Sequence, residues 1–287
     1  MAASKSNFHV RSISLPSKSH PLLQQCNEHL ARLDASDAAS SSSLNRKLSG
    51  LEDLHECVEK LLQLPSTQQA FVQGRHEQWV DQLVDGSLRL LDLCSAAKDA
   101  VLHTKEFIRE IQSIMRRRRG AEFSLESEIR KYSVSRKVVK KVIRKALSSL
   151  KGVQTKSSCS PSNKDSETAA LISALREVEV VTHAVFESLL SFISGPKEQT
   201  KLGGWSLVPK LMHSKRVGSE EEAQHVNEFT KVDAAMHRLM SHEMKIEKVQ
   251  SELQNLEMCV QDFEERLECL FRRLIKTRLS ILNILNY

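Results

Sequence analysis

The chain has few of the residues that build turns and sheets. Aromatics make up 5% of its 287 residues, and it holds only 9 glycines and 6 prolines. No stretch alternates apolar and polar residues between hairpin dipeptides, so nothing points to strands. Its 6 cysteines, at positions 26, 57, 94, 159, 259 and 269, form no C-x-x-C pair. Five of them fall in helical patterns. They read as reduced thiols of an intracellular protein, not as a disulfide framework. Cys26 and His29 share a helix face, but two ligands make no metal site. No uncharged apolar run approaches the ~20 residues needed to span a bilayer. The phosphate loop, dinucleotide fingerprint, nucleophile elbow and H-E-x-x-H are all missing. Asp262, Glu264, Glu265 and Glu268 gather on one stretch, beside Arg266, Arg272 and Arg273. Paired carboxylates do acid–base work only in a pocket that shifts their pKa values, so this group reads as a solvated helix face. The expectation is a protein that is not an enzyme and takes no cofactor or metal.

What remains is helix. The chain is 40% hydrophobic and 27% charged, and Leu, Lys and Glu keep their rotamer freedom in helices. The first predicted helix covers Pro21–Ala35, with Leu22, Cys26, Leu30 and Leu33 on one face. "DASDAASSSSLNRK" then breaks the pattern. A second helix is predicted over Leu51–Leu64, opened by a Ser49/Glu52 capping box and closed by Pro65. The third spans Thr67 to Arg118, capped by Ser66 with Gln69 reaching back, and bent near Gly74 or Gly86. The fourth covers Glu122–Leu150, where Arg136 interrupts an otherwise apolar seam. The fifth covers Ser166–Ile193 and is stopped by Gly195 and Pro196. The sixth runs from Val226 to Asn286. Its seam from Ile246 to Ile284 keeps steps of three and four with Thr277 as the one polar member, which argues for supercoiled packing.

Together these predict an all-α fold, an elongated bundle of about six helices, several of them long with heptad seams. The bundle forms one domain over residues 21–287, with flexible linkers near 36–47, 152–165 and 194–225. A homodimer through the last helix is the competing use of its seam. Residues 1–20 hold no acid and read as a disordered Ser-rich and basic leader.

The charge is concentrated in one place. The whole chain carries +6, while Arg116–Lys151 holds 13 Lys/Arg and 3 Glu, a local +10. Arg116, Arg117, Arg118 and Arg119 sit at a helix end, where cations offset exposed carbonyls. Lys137, Lys140, Lys141, Arg144 and Lys145 fall within about 140° of arc on the face opposite the seam. A solvated face is the plain reading of this stripe. Contact with an anionic membrane surface is the functional one, at about 1 kcal/mol per clustered cation. The four arginines also suit a nuclear import signal. Nucleic acid is disfavoured, because only Phe123 and Tyr132 lie nearby to stack on bases.

"RSISLP" in the leader has the form R-S-x-S-x-P. Arg11, Ser12, Ser14 and Pro16 would present phosphorylated Ser14 to the Arg cluster of a 14-3-3 protein.

The blocks "LSGLEDLHECVEKLLQLPSTQQA", "WVDQLVDGSLRLLDLCSAAKDAVLHTKE", "RRRRG", "LREVEVVTHAVFESLLSFISGP" and "CLFRRLIKTRLSILNILN" resemble the plant-specific Bypass-type family over nearly the whole chain. The resemblance implies a plant origin, a link to root and shoot development, and no established catalytic residues. It also implies an association with the plastid, which the acid-free leader fits. The expected function is therefore a non-enzymatic helical interaction protein binding other proteins, with a peripheral membrane-binding module as the alternative. The cytoplasm is the expected compartment, the plastid the next and the nucleus the last.

Overall fold

The computed structural model describes residues 20–34, 40–117, 122–151, 166–195 and 227–286, and among them the chain is all-helical with no strand. The eight helices are α1 (Pro21–Asp34), α2 (Ser41–Leu62), α3 (Pro65–Gln73), α4 (Gln78–Arg116), α5 (Glu122–Lys151), α6 (Ser166–Ser194), α7 (Glu228–Met240) and α8 (Ile246–Asn286). The leader with Arg11, Ser12, Ser14 and Pro16 lies outside the described residues, as do Arg118 and Arg119.

Eight helices replace the expected six because two long patterns each contain a short turn. After α3, Gly74 takes a bond from its own N–H to Ala70 O, and Glu77 N donates back to Gly74 O at 2.8 Å. Trp79 then swings against Phe71, edge-on at 5.1 Å between ring centres. A Cβ at Gly74 would lie 2.4 Å from the Trp79 ring, so only glycine lets that ring close over the turn. Between α7 and α8, His242 adopts φ 55°, and Glu243 N reaches Arg238 O at 2.9 Å. That bond closes the helix end in the left-handed manner usually given to glycine. The α7–α8 turn keeps the apolar phase, so that pattern reads as unbroken in the sequence, whereas at Gly74 the buried face shifts from Thr67, Ala70 and Phe71 on α3 to Val80 and Leu83 on α4.

Helix α2 starts ten residues earlier than the capping box predicts. Ser40 is its N-cap, accepting from Ser43 N at 3.2 Å. Leu44 and Leu48 are buried in the added turns; their burial outweighs the weak helix propensity of the serines. The Ser66 cap is also absent. Leu64 is the N-cap of α3, without a side-chain bond, and Pro65 occupies the first turn, where its missing N–H costs nothing.

Helix α8 is the hub. Its most extensive partners are α4 and α2, followed by α7. Lys98–Glu268, Lys105–Glu264 and Gln112–Glu257 tie α4 to α8 in antiparallel order. Asn45–Asp262, Glu52–Arg266 and Glu56–Arg273 tie α2 to α8 in parallel order. Every predicted seam residue of α8 from Val249 to Ile284 is buried, Ile246 alone being exposed. The seam is thus covered by helices of the same chain. Phe192, Phe229 and Phe263 meet edge-on where α6, α7 and α8 converge. All eight helices contribute to one connected apolar core.

Candidate functional site

Helix α5 carries five of the sequence-predicted site residues, Lys137, Lys140, Lys141, Arg144 and Lys145. Its inner face buries Ile129, Tyr132, Val139 and Ile143. Arg136, the odd member of that seam, is buried too, at 6% exposure. It has a partner 97 residues away: its Nε donates to both carboxylate oxygens of Asp233 on α7, at 3.1 and 3.2 Å. Its Nη2 donates to Ile193 O at the C-terminal end of α6, at 2.5 Å. The guanidinium also lies 5.2 Å from the Phe229 ring centre. Tyr132 Oη donates to the same Asp233 at 2.6 Å. Burial, then the Asp233 charge, pushes the Tyr132 phenol well above its ordinary value, so it stays a proton donor. One arginine therefore fastens three helices. The interrupted seam is the sequence signal that could have found it; Asp233 leaves no local signal.

The basic stripe divides in two. Lys140 is held by Asp233 at 3.2 Å and is only 22% exposed, so it belongs to this buried node. Lys137, Lys141, Arg144 and Lys145 are exposed, and none has an ion-pair partner among the described residues. Arg116 and Arg117 are exposed at the end of α4, where Arg116 Nε donates to Gln112 O and Arg117 N to Ile114 O. The structure thus brings four predicted cations together on α5, removes Lys140 and places two arginines on another helix.

Sequence reasoning also passed over an apolar row on the outer face of α5. Val134, Val138 and Val142 lie one turn apart and are 64%, 55% and 51% exposed. Their spacing of four was readable, but their place outside the core was not.

The acidic residues gathered on α8 have structural partners. Glu264, Glu268 and Asp262 make the cross-helix contacts already described, and Glu265 accepts from Gln261. The Lys98 ammonium holds the Glu268 carboxyl below its usual range. His55 Nε2 and Thr182 Oγ1 lie 3.0 Å apart inside the core. Burial, with Arg273 second, lowers His55 to about 4, so the ring is neutral at physiological pH. With both side chains fully enclosed, no substrate reaches this pair. Cys26 Sγ lies 2.8 Å from Cys57 Sγ, both buried, and burial raises the Cys26 thiol. Thiols held protonated in this way are poor nucleophiles. A cavity of about 310 Å³ opens among α1, α3 and α6, lined by His20, Ser66, Thr67, Gln69, Glu167 and Thr168 among others. Among the described residues no cluster of three metal-binding side chains occurs, and no helix is long and apolar enough to cross a membrane.

No curated protein and no solved structure matches this chain. The family described as Protein BPS1 matches residues 47–284, from within α2 to the last turn of α8. That span takes in the Arg136 node, the α5 outer face and the hub helix. The chain belongs to the Bypass-type family, Protein BPS1.

Proposed function

We propose that this chain is a non-enzymatic helical interaction protein acting in root and shoot development, and that the outer face of α5 is its working surface. Family membership is consistent with a role in plant development. One observation carries the choice of surface. Elsewhere, cations such as Arg89, Lys98, Lys105 and Arg273 are neutralised by carboxylates of the same chain. Among the described residues Lys137, Lys141, Arg144 and Lys145 stand together without such compensation. Like charges held side by side repel one another, so their clustering costs stability unless something anionic arrives from outside.

The test is replacement in a plant lacking the protein. A chain with Lys137, Lys141, Arg144 and Lys145 changed to Glu is expected to fold and to fail to restore root and shoot growth. Full restoration by that chain overturns the proposal.

The same cations support a second reading, a peripheral membrane module, since clustered Lys and Arg each contribute about 1 kcal/mol near an anionic leaflet. Sedimentation with anionic vesicles, lost on the same four changes, would favour it. The Ser14 motif adds a regulatory proposal. A phosphorylated Arg11–Lys18 peptide is expected to bind 14-3-3, and the Ser14→Ala form is not; equal binding of both disposes of it. The working compartment proposed is the cytoplasm, with the plastid as the alternative.

A further inference from the structure

We infer that the outer face of α5 receives an amphipathic helix of a partner protein whose apolar ridge is bordered by Asp or Glu. This rests on the proposed role of the α5 face and names its occupant.

The face is a built ridge rather than scattered charge. Val134, Val138 and Val142 form a row at i, i+4 and i+8, about 12 Å long at the helical rise. Residues four apart are the ridges by which helices interdigitate. Valine is stiff at χ1, so docking costs this row little side-chain entropy. Lys137, Lys141 and Lys145 form the adjacent row at the same spacing, about 60° around the helix. An apolar ridge beside a cationic one has as its complement an apolar ridge beside an anionic one.

The shape favours a rod over a sheet. Helix α4 lies against α5, Phe107 on Tyr132 and Glu110 on Glu128, and from Asp99 to Glu110 it exposes three acids, Asp99, Glu106 and Glu110, beside one arginine, Arg109. A flat anionic bilayer covering both helices meets this acid as well as the lysines. A single helix seated along the valines meets the lysines alone. Membrane-surface helices also lean on Leu, Phe and Trp for insertion, whereas among the described side chains of α5 the exposed large apolar residues are three valines.

The probe is a synthetic helical peptide with Leu at every fourth position and Glu along one flank, titrated by fluorescence anisotropy against the full chain. Controls are a peptide of the same composition with scrambled order, and vesicles containing anionic phospholipid. The patterned peptide is expected to bind, weakening as salt rises. The Val134→Ser/Val138→Ser/Val142→Ser chain is expected to lose about tenfold or more, since burying three half-exposed valines is worth at least 1.4 kcal/mol. Lys137→Glu/Lys141→Glu/Lys145→Glu is expected to abolish binding while the melting temperature holds. Four results each overturn the inference: no binding of the patterned peptide, equal binding of the scrambled one, binding to vesicles alone, or self-association of the chain that the valine changes abolish. If the charge-reversed chain fails in the plant while the peptide does not bind, the surface stands and its occupant is not an acidic helix. If that chain restores growth, the surface itself falls.

Discussion

Helices α5 and α8 are both long and both amphipathic, yet they are employed in opposite ways. Helix α8 is enclosed by α2, α4 and α7, and charges beside its seam, such as Glu264, Glu268 and Arg273, are matched by residues on α4 or α2. Helix α5 buries its inner face and pins one arginine to α7, while its outer face keeps bare valines and uncompensated lysines. A seam covered within the chain is committed to stability. A ridge left uncovered with charge of one sign is free to bind. The difference cannot be read from amphipathicity, which both helices share.

Truncation should tell most strongly in the hub. Leu267 is wholly buried, so Leu267→Ala is expected to cost about 3–5 kcal/mol in chemical denaturation. Val138→Ala on α5 should cost less than about 0.5 kcal/mol, as surface changes do.

Acid provides the next largest effect. The folded chain holds His55 at about 4 against an ordinary value of 6.5, so its contribution to stability is full above pH 6.5. It is lost as the pH falls, because the unfolded chain takes up a proton that the core refuses. The loss should reach roughly 3 kcal/mol by pH 4, at about 1.4 kcal/mol per pH unit. His55→Gln is expected to flatten this slope in urea titrations between those values, although other acids still contribute.

The buried node sharpens the contrast within α5 itself. Asp233→Ala leaves the Arg136 guanidinium enclosed without its counter-charge and is expected to cost about 2–4 kcal/mol. Adding Arg136→Met should recover part of that loss, which a double-mutant cycle measures.

The smallest effect lies where α4 meets α5. Glu110 shares a hydrogen bond with Glu128, which raises its carboxyl above the ordinary range, ahead of burial and the Glu128 charge. A raised carboxyl stabilises the fold below its ordinary pKa and loses that contribution as the pH rises through the raised value. Glu110→Gln is therefore expected to raise the melting temperature slightly at neutral pH and to leave it unchanged in acid.

The sequence made the helical architecture legible where burial follows local period. The seams of α6 and α8 fall where steps of three and four put them, because each position faces the same neighbour turn after turn. The turn at Ser241–Lys245 escaped because it preserves that phase, and the glycine at 74, expected to bend one helix, instead ends it. The start of α2 escaped because serines usually open loops, and here Leu44 and Leu48 carry them into a helix. On the candidate site, the basic cluster was legible as composition. Which cations stay free was not, since Lys140 is claimed by Asp233, a residue 93 positions away.

The role proposed for α5 requires an outer face that the bundle does not need. The melting temperature of the Val134→Ser/Val138→Ser/Val142→Ser chain tests this most directly. It should match that of the unaltered chain or exceed it, because the three valines touch solvent rather than core. A fall comparable to that of Leu267→Ala would show the row to be part of the packing, and would contradict the account.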